Sequence, residues 1–289
     1  MNFYQDKDTL IIIGGYAFSA SANNHITFPN LTTIQVDSLI QAIINGNSNI
    51  APYFKQIADN NFEVCGGQLG KIGNTYLLVG EHRFDGRYNP NNGPSFTQIY
   101  TNQIKKFQIQ NNPNLTITNY QTLNDAVHLH RREFNLLPQI FQNGEMGYLI
   151  SSGVFQYNVD LPYLYPIEVY ENNIVPITHF NQYLSNYHSA KTSLHDSLNR
   201  SMYMIFYGGM SQYFYRNDSL IQDNLVPLVK TVSLLSRDSN GNYTEYLMPI
   251  EMPQLKGSSA EFIYNHQIPL YEPEIIKLNE LTQDNLKFN

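Results

Sequence analysis

Residues 202–215 read MYMIFYGGMSQYFY, an apolar and aromatic run interrupted by two adjacent glycines, Gly208 and Gly209. Aromatic and branched side chains suit a pleated strand, whereas glycine weakens a strand interior unless a bend or a close backbone approach requires it. The pair therefore marks a strand that runs into a crowded place. The pattern recurs. LIIIGGY at 10–16, YLLVGEH at 76–82, YLISSGV at 148–154 and MIFYGGM at 204–210 each set small residues after an apolar run, at intervals of about 55 to 75 residues. Each copy is followed, after a polar interval, by a further β-rich run: LTTIQVDSL, FTQIYTNQIKKFQI, YLYPIEVY and VPLVKTVSLL. Three are also preceded by one: FEVCGGQLGKIG, FNLLPQIF and SAKTSLHD.

A unit of about four short strands repeated at this period is the pattern of a β-propeller, whose blades are four-stranded antiparallel sheets around a channel. The sequence predicts an all-β fold in one domain, 1–289, with blades over 9–60, 61–124, 125–185 and 186–252 and a partial blade over 253–289. The chain enters at LIIIGGY as a second strand, and GSSAEFIY at 257–264 reads as a first strand without a glycine-bearing partner. Two arrangements follow: a four-bladed ring closed by pairing of the last strand with the first blade, or an incomplete five-bladed disc, which is preferred. Helix is expected only around DSLIQAIING at 37–46.

At the glycine pairs the chain resembles kelch-repeat propellers, whose repeat is a hydrophobic run, a double glycine and a later aromatic. The resemblance is specific at Gly14-Gly15 and Gly208-Gly209 and degenerate at Gly80-Glu81 and Ser152-Gly153. Trp is absent, so Tyr and Phe must fill the wedge that it occupies in kelch repeats. The segments GEHRFDGRYNP, VHLHRREFNLLPQIFQNGEMG, SSGVFQYNVDLPYL and FNQYLSNYHSAKTSLHDS are similar to kelch-like proteins of Bacteroidetes that carry an export signal in front and a type IX secretion sorting domain behind. That resemblance implies a secreted or cell-surface setting, although the start, MNFYQDKDTLIIIGGY, has acidic residues where a signal peptide is basic.

Composition narrows the partners. The 24 acidic and 17 basic residues give a formal charge of -7, so the general electrostatic footprint of a nucleic-acid binder is missing. No run approaches the length of a membrane helix. Cys65 is the single cysteine, which excludes an internal disulfide and suits a buried core position. No cofactor motif stands out.

Strands alternate in direction within a blade, so the loops joining second to third strands and those joining blades emerge on one face. The former hold His82, Arg83, Asp85, Arg87 and Tyr88; the latter hold His128, His130, Arg131, Arg132, Tyr187, His188 and Lys191. His82, Arg83, Asp85, Arg87, Tyr88, His130, Arg131, Arg132 and His188 are expected to form a polar, positively biased ligand-binding funnel, with Arg as bidentate donor and Tyr as apolar platform. The competing reading has Arg and His bridging blades and satisfying loop carbonyls and carboxylates. Arg131 and Arg132 are adjacent in an extended segment and should point opposite ways. His128 and His130 share a strand face that His188 could approach, but no carboxylate or cysteine stands at ligand spacing, and no metal is expected. Ser193, His195 and Asp196 cannot form a relay, because adjacent strand residues face opposite sides. The chain reads as a non-catalytic binding or interaction module for a glycan, an anionic small molecule or a protein. The alternative is a glycoside hydrolase or lyase that uses carboxylates at the channel mouth, with Glu81, Asp85, Glu133 and Glu261 as candidates.

Overall fold

A computed structural model of the chain describes residues 1–89, 95–187, 189–256, 258, 260–265, 267–271 and 274–282. The fold is all-β, built from small antiparallel sheets. Two compact units divide the chain, Met1–Arg132 and Glu133–Asn289.

In the first unit the chain runs through β1 (Asn2–Asp6), β2 (Thr9–Ile13), β3 (Tyr16–Ser19), β4 (Asn24–Thr27), β5 (Asn30–Gln35) and β6 (Phe54–Ala58). Strands β1, β2, β5 and β6 form a four-stranded sheet in chain order, and β3 and β4 form a hairpin inserted between its second and third strands. The plan repeats with β7 (Gln68–Ile72), β8 (Thr75–Val79), β9 (His82–Gly86), β10 (Phe96–Tyr100), β11 (Gln103–Gln110) and β12 (Thr116–Asn124). Here β7, β8, β11 and β12 make the sheet and β9 and β10 the inserted hairpin. The helix α1 (Val36–Ile44) covers most of the expected helical stretch.

The second unit begins with a sheet of β13 (Asn135–Ile140), β14 (Met146–Ser151), β15 (Ile167–Val169) and β16 (Ile174–Pro176). Its final sheet adds β17 (Ala190–Asp196), β18 (Ser201–Tyr207), β21 (Thr231–Arg237) and β22 (Tyr243–Glu251), with the hairpin β19 (Tyr213–Arg216) and β20 (Ser219–Gln222) again between second and third strands. Two short strands, β23 (Leu270–Tyr271) and β24 (Ile275–Lys277), extend this sheet, and β24 lies parallel to β17.

All four apolar runs ahead of the small residues are therefore second strands. The first sheet corrects one expectation, because Asn2–Asp6 precedes the LIIIGGY strand as a first strand. NFYQD does not alternate polar and apolar residues, since Asn2 is the buried member and Phe3 an exposed one, and it carries no glycine signal. The end of the chain corrects another. Among the described residues of GSSAEFIY none is in a strand, and the later Leu270–Tyr271 and Ile275–Lys277 join the fourth sheet instead. FTQIYTNQIKKFQI, expected as one run, becomes β10 and β11, because Asn102 takes a left-handed φ of 52° and turns the chain.

The cores explain the runs of hydrophobic residues. In the first unit Ile11, Ile13 and Leu31 of the first sheet cluster with Tyr76, Leu78 and Phe107 of the second, and Phe62 and Val64 of the joining segment fill the space between. Strand β8 is buried along its whole length, which accounts for its unbroken apolar sequence. In the second unit Leu137 and Leu149 meet Met202, Met204, Phe206 and Leu235.

The glycine pairs sit where the second strand ends. The first small residue of each copy, Gly14, Gly80, Ser152 and Gly208, has a left-handed φ, of 62°, 43°, 51° and 65°. In three copies the next residue donates its amide to the segment that follows the sheet's last strand: Gly15 to Val64 O at 3.0 Å, Gly153 to Asn186 O at 3.3 Å and Gly209 to Lys256 O at 3.2 Å. A Cβ on Gly14 would lie 2.1 Å from Val64 O, and one on Gly208 2.4 Å from Lys256 O. Backbone is approaching backbone, so neither side can yield cheaply.

Gly14→Ala and Gly208→Ala should each lower stability by more than about 2 kcal/mol in urea denaturation. Gly144→Ala is the control. Its φ is also positive, at 84°, but its Cβ would meet nothing within 4 Å, so the cost should be only about 1 kcal/mol.

Candidate functional site

Eight of the nine expected site residues lie in the first unit, on or beside the hairpin β9–β10 and in the segment after β12. His188 lies outside the described residues. The two hairpins of this unit are fastened to each other. Thr27 Oγ1 donates to Phe84 O at 2.7 Å, and Phe84 N donates back to Thr27 Oγ1 at 2.8 Å. Tyr16 OH donates to Gly86 O at 2.6 Å and accepts from Tyr88 N at 3.1 Å. Around these bonds Phe84 stacks on Phe96 with ring centroids 4.6 Å apart, and Tyr16 meets Phe84 edge-on at 5.0 Å. The outer rim keeps aromatic surface open: Tyr88 is 59% exposed and Phe18 54%.

The charged members divide into three kinds. Arg83 is engaged by carboxylates, with Nη1 on Glu63 Oε2 and Nε on Asp85 Oδ2. The other oxygen of Asp85 accepts from Thr27 N at 3.3 Å, so this triad ties the second hairpin to the first. Arg131 is 1% exposed and donates from Nε to the carbonyl of His128 at 2.7 Å, as a buried structural cation. Arg132 is half-buried, with Nε 3.9 Å from Glu81 Oε2. The two neighbours thus differ in burial. Arg87 is exposed, and among the described residues no side chain pairs with its guanidinium.

His82 and His130 add little charge. His82 is 5% exposed, with Nδ1 3.7 Å from Glu81 Oε2. Burial, reinforced by the Arg132 guanidinium, pushes its pKa down to about 3. His130 stacks on Tyr100 at 3.8 Å, and its Nδ1 lies 3.2 Å from Asn102 Oδ1; burial lowers its pKa as well. Glu63, Glu81 and Asp85 stand against Arg83, Arg87, Arg131 and Arg132, so the three carboxylates offset much of the expected positive bias.

Glu81 is the carboxylate drawn deepest, at 1% exposure. It fits because Gly66 has no side chain: a Cβ there would lie 2.1 Å from Glu81 Oε2. Gly67 similarly admits the Gly80 carbonyl. Cys65 is buried beside them, its thiol donating to His82 O at 3.5 Å and lying 3.7 Å from Thr27 Oγ1, and burial pushes its pKa up. The sequence singled out none of Tyr16, Phe18, Glu63 or Tyr100. The signal was present in YAFSASANNHIT, which stands in the first sheet where the β9–β10 hairpin stands in the second.

In the second unit burial lowers the Lys191 pKa, and the carboxylates of Glu261 and Glu274 oppose that shift. Among the described residues no three of His, Cys, Asp and Glu gather as metal ligands, and no helix is long and apolar enough to cross a membrane.

No family model matches the sequence, and no curated protein matches it. One solved structure to which the chain is similar is described as "Structure of YjhT": 7% identical, with a TM-score of 0.42, over 89% of this chain and 82% of that one.

The depressed pKa of His82 sets a pH dependence. The unfolded imidazole takes up its proton near pH 6.5 and the folded one only near 3. Stability present above pH 6.5 should therefore be lost as pH falls through that window, by roughly 2 to 4 kcal/mol. Denaturation midpoints measured from pH 7 to 4 should show this slope, and His82→Phe should flatten it.

Proposed function

We propose that the chain is a non-catalytic binding module of kelch-like propeller architecture, with its sheets as blades, and that it recognises a glycan on the hairpin face. The repeated strand order, with a left-handed residue closing each second strand, supports the blade reading. The observation that carries the binding reading is an exposed ring, Tyr88, on a hairpin fastened to its neighbour, with the exposed Arg87 next to it in the chain. An aromatic face packs against the C–H side of a sugar ring, and a guanidinium beside it donates to hydroxyl or carboxylate oxygens. Phe18, on the neighbouring hairpin, adds a second apolar surface. Because most of the local charge is already paired, a neutral sugar, or one with a single acidic substituent on Arg87, fits better than a polyanion.

The enzyme reading needs two carboxylates facing each other across an open gap, about 5 to 10 Å apart. In this unit Asp85 is held by Arg83 and the Thr27 amide, and Glu81 is buried against Gly66. Neither is presented to a glycosidic oxygen.

Tyr88→Ala and Arg87→Ala should each weaken glycan binding about tenfold in isothermal titration against array-selected ligands, with the melting temperature unchanged. Unaltered affinity in both variants would remove the hairpin face from consideration, and release of shortened glycan in mass spectrometry would favour the enzyme.

A further inference from the structure

The opposite end of the first unit holds a recess unrelated to the hairpins. Hairpins leave the sheets where second strands end; this recess opens where β2 begins, where β5 ends and where β6 begins. Its volume is about 490 Å³, and its lining includes Thr9, Thr33, Gln35, Tyr53, Lys55 and Asn111. That size is ordinary for a small-ligand pocket. The register explains the lining: Thr9 pairs with Gln35 and Thr33 with Lys55, so these four side chains share one face of the first sheet. Further along that face come Ile11 and Leu31, buried against the second sheet. The sheets splay beyond that core, and the space between them is lined with polar groups.

The lining is organised. Lys55 Nζ grips the β11–β12 turn, donating to Asn111 O at 2.7 Å and Pro113 O at 2.9 Å. Gln35 Nε2 donates to Thr9 Oγ1 at 3.0 Å, and Asn111 Nδ2 to Thr33 Oγ1 at 3.3 Å. Asn111 Oδ1 is withdrawn from solvent and has no hydrogen-bond partner among the described residues. A buried acceptor left unmet is costly, and rotation of the amide toward the recess would satisfy it if a donor were there. No carboxylate lines the recess, and its one cation is already bonded to two carbonyls.

The same corner of the fourth sheet is also hollow, at about 420 Å³, with Tyr203, Ser236 and Tyr246 in its lining. Tyr203 stands five residues before Gly208, as Thr9 stands five before Gly14 (208 − 203 and 14 − 9). It pairs with Ser236 as Thr9 pairs with Gln35. The repeat produces the recess, and the first sheet furnishes it with amides.

We propose that the recess of the first unit is a second binding site, for one ring of an uncharged saccharide. The ligand must both donate and accept, because the lining offers amide and hydroxyl groups of both kinds. The charged oxygens of an anion only accept, and the one cation of the recess is already committed to two carbonyls. A sugar hydroxyl does both, and the Tyr53 ring with Pro52 supplies an apolar wall. This site stands or falls independently of the hairpin face.

The test is saturation-transfer NMR and shift titration on the full chain with methyl α-glucoside and methyl β-N-acetylglucosaminide, with inorganic phosphate as the charged probe. Saccharide-induced shifts of the amides lining the recess that weaken about tenfold in Asn111→Ala and in Gln35→Ala, and that are unchanged at those amides when the hairpin face is altered by Tyr88→Ala, are the expected result. Gln35 lies at a strand end, so that variant decides the matter should Asn111→Ala fail to fold. The proposal is overturned if neither saccharide binds the unmodified chain, if phosphate binds in their place, or if only Tyr88→Ala removes binding.

Discussion

The architecture depends on one backbone contact made repeatedly: the residue after a second strand turns left-handed, and the next one bonds to the segment leaving that sheet. Gly15, Gly153 and Gly209 make this bond to Val64, Asn186 and Lys256. The contact fixes where a sheet's second strand stops and where the connection to whatever follows must pass. It also requires a residue without a side chain wherever the carbonyl comes closest, at Gly14 and Gly208. Ser152 tolerates the same φ, and its hydroxyl donates to Tyr163 O at 2.8 Å, which gives the polar side chain a local partner.

That turn also decides what happens at the two ends of a sheet. At the glycine end the chain is free to grow a hairpin before the third strand, and in the first unit both hairpins do so and fasten to each other through Thr27, Phe84, Tyr16 and Gly86. Their mutual bonds turn two marginal ribbons into one rigid surface, since an isolated two-stranded hairpin has little stability alone. At the other end the sheets diverge beyond their shared core, leaving a polar recess. One repeat thus yields two surfaces of different chemistry, aromatic and charged at one end, amide and hydroxyl at the other.

Electrostatics in this unit work chiefly as fastening. Arg83 joins Glu63 to Asp85, Lys71 reaches Asp6 at 2.5 Å across the two sheets, and Lys55 holds a turn by its carbonyls. Tyr76 OH donates to the same Asp6 carboxylate at 2.7 Å. Apart from the exposed Arg83, these charges are partly buried and hydrogen-bonded, so removing one partner strands the other in a poor environment. Charge in the loops therefore reports packing first, and only what stays exposed, such as Arg87, bears on a ligand.

The sequence alone determined the repeat. Apolar runs ending in small residues mark all four second strands, because a strand buried on both faces and then forced into a left-handed turn leaves a signature in composition. The helix near 37–46 was legible for the same reason, being a local preference of a few residues. The first strand, NFYQD, was hidden because its buried residue is Asn2 and its sequence carries no strand alternation, and the break at Asn102 by a run that reads as continuous strand. The site was legible only as a set of residue types on neighbouring loops. Which arginine is buried, which is paired and which is exposed was decided by tertiary structure: burial and ion pairing depend on groups far apart in the chain, such as Glu63 with Arg83 and Thr27 with Asp85, and no periodicity encodes which loops will meet.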